Sequence, residues 1–402
     1  MLSDNAIENL VQPIVDRQES INMYIINKVA NRLRDVQTMR PSDIRSLKSM
    51  RIMGGDIREI NEEIAKQSDL QVRDIKQTIK IVGADTYKDV KSFYDYRHKR
   101  YIPFEKNTKL QKIVNGIANQ TRDTYRNLSN SSATGFMIRD ENNPLSLKFY
   151  NIEDSYRRII DEAVQGVVGG LLRPEEAVRL ALKQLLDSGV RRIYWDSGYN
   201  QRLDTAVRRN VLDGIRQVRQ KINDETGKEF GADGKQLSAH PNAAPDHEPF
   251  QGHIFTNEEW ENLQTCNDFT DIYGQHFDGV DRIIGAWNCY HIASSIIIGA
   301  KKPKYTPEQL QKFIDDNHKG YTFPNGKHLT MYQCTQMQRS LETRIRYAKE
   351  EQMAMKELGN ISAKKLARQN VIDLTNQYRA FSNSCGLKPQ MRRASVPKYT
   401  AN

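Results

Sequence analysis

Apolar positions recur at steps of three and four along most of this chain, the period of helices that bury one face. Ile21, Ile25, Val29, Leu33 and Val36 draw a first stripe over about residues 16–37. Pro41 ends it, and Ser42-Asp43 offers a cap for a second helix. Gly54-Gly55 reads as punctuation, after which Ile57, Ile60 and Ile64, then Leu70, Val72, Ile75 and Ile79, mark a third. A basic-aromatic knot from Tyr94 to Tyr101 reads as a helix end with snorkelling side chains. Leu110, Ile113, Val114 and Ile117 mark another helix, and the Ser/Asn-rich residues 127–143 read as a loop at a domain boundary.

Two good helices follow over about residues 152–169 and 173–186, the second opened by Pro174, Glu175 and Glu176, with Gly169-Gly170 as the turn between them. A long basic helix is predicted from Arg202 to Ile222, its Arg202, Arg208, Arg209, Arg216 and Arg219 reading as a solvated or partner-facing side. Gly227, Gly231 and Gly234 suggest a hairpin. Thr256 or Asn257 caps a short acidic helix through Leu263, and residues 282–285 and 290–298 read as short buried strands. Thr306-Pro307-Glu308 opens a helix, and two long amphipathic helices, residues 330–358 and 362–382, break at Gly359-Asn360 into a hairpin. A basic extended tail begins at Met391.

These elements predict a predominantly α-helical α+β protein. Its expected organisation is an N-terminal helical arm or bundle over residues 1–130, a small central α+β domain over 145–300, and a C-terminal helical hairpin with tail over 301–402.

Composition changes that picture in two places. Only 38% of the 402 residues are hydrophobic and 27% are charged, which suits long exposed or partner-covered helices. There is no apolar run long enough to span a bilayer, no secretion signal at Met1, and Cys266, Cys289, Cys334 and Cys385 lack CxxC spacing, so reduced thiols in a cytoplasm are expected. The net charge of +10 is unevenly placed: residues 301–402 hold nineteen Lys and Arg against eight Asp and Glu, whereas residues 222–290 hold thirteen acids against three bases. An acidic middle and a basic end face different surroundings.

Candidate chemistry concentrates in Ser238–Phe255, which carries three of the eight histidines and three prolines. Pro241, Pro245 and Pro249 exclude a regular helix or central strand, so an ordered loop is predicted. His240, His247, His253, Cys289 and His291 are acceptable zinc donors, but without CxxC or HxxxH spacing the reading without metal, histidines bonded within a rigid loop, is the one adopted. Cys289, His247, Asp246 and Asn288 also supply the residue types of a nucleophile and its base, although no familiar catalytic motif accompanies them. For nucleic acid, Lys301, Lys302, Lys304, Arg339, Arg344, Arg346, Lys349, Lys364, Lys365, Arg368, Arg392 and Arg393 could meet phosphates or an acidic partner without reading bases.

Ser238, His240, Asp246, His247, Gln251 and Gly252, then Gly285, Asn288, Cys289 and His291, then a helical pair ending at Phe381 and Cys385-Gly386-Leu387, resemble the minor capsid protein 2 family of tailed bacteriophages, itself similar to Mu-like head-morphogenesis proteins. Ala244 stands where that family's loop carries arginine, and Tyr290 where a basic residue is usual. The resemblance implies a structural protein of the phage head, acting in head assembly and genome packaging, without catalytic residues or cofactor. It also implies a place inside the virion head after assembly in host cytoplasm, several copies per particle, and contacts with portal protein, major capsid or scaffold protein, and packaged double-stranded DNA. In this reading the ten motif residues are architecture; the alternative is a metal-dependent enzyme or ejected effector that uses the His/Cys motif.

Overall fold

One helix enters both of the large cores. Helix α1 (Asp4–Thr38) puts Ile7, Val11, Ile14 and Val15 into one apolar cluster, and Ile21, Ile25, Val29, Leu33 and Val36 into another. The computed structural model describes residues 2–38, 49–129, 134–140, 143, 146–187, 192–194, 200–265, 267–271, 274–278, 284–285, 289 and 291–397. Pro41, Ser42-Asp43 and the tail beyond residue 397 therefore lie outside the described residues.

Helix α2 (Ser49–Asp89) runs antiparallel along α1, tied by Arg17–Asp74 at 2.9 Å and Arg32–Asp56 at 2.7 Å. It passes through Gly54-Gly55 without a break, correcting the expected punctuation. Each glycine costs a helix about 1 kcal/mol. Burying Ile57, Ile60 and Ile64 against α1 returns about 1.5–3 kcal/mol apiece, so packing decides.

The chain then turns through the short helix α3 (Lys91–Tyr96). The basic-aromatic knot is indeed a helix end: Tyr87 stacks on Tyr101 at 4.7 Å between ring centroids, and Phe93 stacks on Phe230 at 5.1 Å. Helix α4 (Thr108–Ser129) lies against α2 and α7 (Leu203–Phe230), burying Leu110, Val114, Ala118 and Tyr125.

The polar stretch expected as loop contains strand β1 (Thr134–Arg139), paired antiparallel with β2 (Leu147–Asn151). Phe136 and Ile138 alternate into the core there, a signal hidden by the surrounding Ser and Asn. Helices α5 (Ile152–Val168) and α6 (Pro174–Asp187) cover that core, while β3 (Arg192–Tyr194) and β4 (Asn200–Arg202) complete a sheet of order β2-β1-β3-β4.

The basic helix runs past Ile222 to Phe230, and Gly231, at φ 73°, closes it in the left-handed conformation. Gly227 thus belongs to the helix rather than to a hairpin. The arginine face is corrected too. None of Arg202, Arg208, Arg209, Arg216 and Arg219 is fully exposed; Arg202 and Arg219 are buried, and Arg208 is bonded to Glu8 and Gln12 of α1.

Three short strands, β5 (Gly234–Leu237), β6 (Ile254–Thr256) and β9 (Ala293–Ile296), form an antiparallel sheet of order β6-β5-β9. The expected strand over residues 290–298 is shorter, and Ile284 and Gly285 sit in a turn rather than a strand. Between β6 and β9 come α8 (Asn257–Gln264), opened by the predicted Thr256 capping box with Glu259, and the hairpin β7 (Phe269–Thr270) with β8 (His276–Phe277).

Helix α9 (Pro307–Lys319) begins at the Thr306 cap. A small hairpin, β10 (Tyr321–Thr322) and β11 (His328–Leu329), leads into α10 (Met331–Glu357) and α11 (Ile361–Ser384), which pack antiparallel across Gly359-Asn360. The described part of the tail begins with a turn over residues 391–394 instead of an extended segment. Ala394 is buried between α10 and α11, Arg393 meets Glu342 at 3.2 Å and Glu8 at 3.7 Å, and Lys349 donates to the Ala394 carbonyl.

Candidate functional site

The proline-rich stretch folds as the predicted ordered loop, with two turns and a 3-10 turn at Glu248–Phe250 that takes Pro249 at its start. Ser238 anchors its start: the Ser238 N–H donates to the Ile292 carbonyl, and the Ile292 N–H donates to the Ser238 side-chain Oγ, each at 3.0 Å. The His240 N–H donates to Gln251 Oε1 at 2.9 Å, closing the loop on itself. Gly252 (φ 78°) and Gly285 (φ 90°) both occupy backbone that L side chains avoid, and a Cβ on Gly252 would also stand 2.2 Å from Leu310 Cδ2 of α9.

Folding brings together part of the predicted donor set. Cys289 Sγ lies 3.4 Å from His247 Nδ1 and 3.6 Å from His291 Nδ1, and all three residues are buried. Asp246 Oδ2 stands behind the other side of the His247 ring, 3.7 Å from Nε2. His240 packs its ring on His291 at 4.9 Å between centroids, with Nε2 3.3 Å from Ser238 Oγ. His253 is not part of the group: its ring meets Phe277 edge-on at 5.3 Å, and burial pushes its pKa down against the pull of Asp271. Cys289 and His291 precede β9 instead of lying within it. Asn288 lies outside the described residues.

The electrostatics favour a reactive or ligating sulfur. Burial alone would raise the Cys289 thiol, but the His247 hydrogen bond and those from the Gly285 and His291 backbone hold it below its ordinary value. Such a group can ligate a metal or act as a nucleophile with His247 as base. Exposure discriminates between the two. Cys289 is 6% exposed and His247 1%, which leaves little room for a reacting carbon beside Sγ.

Sequence reasoning missed the acid that pins this loop. Glu248, also buried, accepts from Asn317 Nδ2 at 2.6 Å and meets His318 Nε2 at 2.7 Å, both from α9. Asn317 Oδ1 in turn accepts from the Tyr332 N–H at 2.8 Å, so loop, α9 and α10 share one bonded chain. A single acid among prolines carries no signal of that.

A family model described as phage minor capsid protein 2 matches residues 2–383. The chain belongs to that family. Searches of curated proteins and of solved structures return no match. As a phage minor capsid protein it is a structural component of the virion, in contact with other virion proteins. No helix among the described residues is long and apolar enough to cross a membrane.

In this minor capsid protein the predicted cationic residues divide into two groups. Arg346 bonds Glu19 and Asp204, Arg339 and Arg393 hold Glu342, Arg392 reaches Asp16, Lys349 is engaged by the Ala394 carbonyl, and Lys301 covers the Phe93 ring while donating to Ser92. These serve the fold. Lys302, Lys304, Arg344, Lys365 and Arg368 remain exposed, with Lys364 half-buried one turn before Arg368.

Proposed function

We propose that this chain is a non-enzymatic structural protein of the phage head, assembled in host cytoplasm and seated inside the capsid beside the portal. It is present in several copies, contacts portal and major capsid or scaffold protein, and touches packaged double-stranded DNA. Family membership supports the head; the observation that supports the DNA contact is the row of cations left over once internal ion pairs are satisfied. Lys364, Lys365 and Arg368 share one turn of α11, and Arg344 lies exposed on α10. Such a patch neutralises phosphates without reading bases.

Burial of the His247–Cys289 pair supports a non-catalytic role for the motif. The test is an asymmetric cryo-electron microscopy reconstruction of intact particles, with the chain expected beside the portal and its α10–α11 side toward the genome. Absence from the particle would overturn the reading. A companion measurement is the salt dependence of DNA affinity: replacing Lys364, Lys365 and Arg368 by Gln lowers the slope by about one for each phosphate no longer neutralised. An unchanged slope would exclude DNA as a partner of this patch.

A further inference from the structure

We propose that His247, Cys289 and His291 bind a zinc ion that staples the central sheet unit together. This does not rest on the capsid reading and stands or falls separately from it. The donor geometry carries the inference. With Zn–S near 2.3 Å and Zn–N near 2.0–2.1 Å, a sulfur and a nitrogen on a tetrahedral ion lie about 3.6 Å apart. Cys289 Sγ stands 3.4 Å from His247 Nδ1 and 3.6 Å from His291 Nδ1. All three donor atoms lie within 4.8 Å of one another. A nitrogen–nitrogen edge on the same ion is about 3.3 Å, so ring movements of at most about 1.5 Å close the site.

Both imidazoles point Nδ1 at the sulfur, which leaves each Nε2 facing away. On His247 that outward nitrogen faces the Asp246 carboxylate at 3.7 Å, an electrostatic contact that favours a proton on Nε2 and so leaves Nδ1 free to ligate. Soft thiolate with two imidazoles selects zinc over magnesium or calcium. Binding takes the proton from the Cys289 thiol and releases it to solvent, leaving a thiolate–zinc bond.

The unit around the site also fits a staple. Among the described residues its apolar cluster includes Leu237, Phe255 and Phe277, and its strands are two to four residues long. A metal clip that closes a long loop stabilises by removing that loop's chain entropy. His247 and Cys289, 42 residues apart, bracket β6, α8, β7 and β8, so one ion there closes the whole segment onto the start of β9.

The experiment is elemental analysis of the purified full-length chain, followed by removal of zinc with a chelator and titration with cobalt(II). Stoichiometric zinc and a thiolate-to-cobalt charge-transfer band are expected, with both lost in Cys289→Ser and retained in His253→Ala. Chelation lowers the melting temperature, and added zinc restores it. If Cys289→Ser does not fold, the cobalt spectrum of the unaltered chain decides: a thiolate band supports the site, and its absence overturns it. Zinc retained by a folded Cys289→Ser variant also overturns it, because the ion then sits elsewhere.

Discussion

Arg202 and Glu350 lie 148 residues apart in the chain yet make a two-pronged ion pair, Nη2 to Oε1 at 2.7 Å and Nη1 to Oε2 at 3.3 Å, with side chains 5% and 1% exposed. Arg202 also holds Asp204 at 2.8 Å and lies over the Tyr347 ring at 4.7 Å. This joins the start of α7 to the middle of α10. Removing the guanidinium leaves Glu350 dry without its charged partner and Asp204 with Arg346 alone, a change that costs about 3–5 kcal/mol. Arg202→Ala therefore shifts the urea midpoint far down. Arg202→Lys rescues little, since an ammonium cannot reproduce the fork. A midpoint within error of the unaltered chain would contradict this.

Glu19 makes the same cluster sensitive to pH. Arg346 binds both Glu19 and Asp204. Burial opposes the charged form of Asp204, yet the Arg202 and Arg346 guanidinia hold it well below the usual carboxylate range. Burial, opposed by Arg346 and reinforced by the Asp204 charge, pushes Glu19 from 4.5 up to about 8. A protonated Glu19 leaves two guanidinia facing two carboxylates, a neutral set. Because the folded value exceeds the unfolded one, the unfolded chain binds fewer protons between them, and this stabilisation declines as pH rises from about 4.5 to about 8. Glu19→Gln flattens that decline. Melting temperatures of both proteins from about pH 5 to about pH 9 read it, and parallel curves would exclude Glu19 as the source.

Gly227 sets the distance between α7 and the central sheet. A Cβ there would stand 2.5 Å from Ser295 Oγ and 2.6 Å from Ser295 Cβ on β9. Alanine in a helix gains about 1 kcal/mol over glycine, but forced overpacking costs about 1–3 kcal/mol. The clash involves Cβ, which no rotamer moves, so Gly227→Ala destabilises by up to about 2 kcal/mol on balance. Calorimetry of Gly227→Ala with and without Ser295→Gly checks it: the second change recovers most of the loss.

The tail residues behave as part of the hairpin. Tyr378 donates to Glu342 Oε1 at 2.9 Å and accepts from the Gln390 N–H at 2.7 Å, while Arg393 completes the acid's shell. Arg393→Ala leaves a carboxylate that is 3% exposed short of one charged partner, and loses about 1–3 kcal/mol. Deleting residues 391–402 adds the loss of buried Ala394. Thermal unfolding of both variants tests this, and a melting temperature unchanged by the deletion would show the tail to be dispensable.

Local signals were legible from sequence. Thr256, one of the two caps expected there, and Thr306 both cap helices through reciprocal side-chain bonds, and Gly359-Asn360 separates the two helices of the hairpin where expected. Long-range pairing was not. Charge type alone made Arg202, Arg346 and Arg393 look like a solvated or phosphate-facing set, because their acids lie far off in the chain. Spacing joined Cys289 to His291 but said nothing of which of three loop histidines would meet them. Turns within the loop turn His247 inward, and the Phe255 and Phe277 rings take up His253.

The first helix is also a matter of timing. Asn9 of α1 accepts from Arg392, 383 residues later, and Glu8 meets both Arg208 and Arg393. At roughly 5–20 residues per second, a ribosome takes about 20–80 s to make that interval. Within it α2, α5, α6 and α7 emerge and cover the two apolar stripes of α1, and the ties from Arg392 and Arg393 arrive last. Contacts so distant in sequence also slow folding itself. A nascent chain stalled before α5 should therefore expose α1 to protease, whereas the released chain protects it.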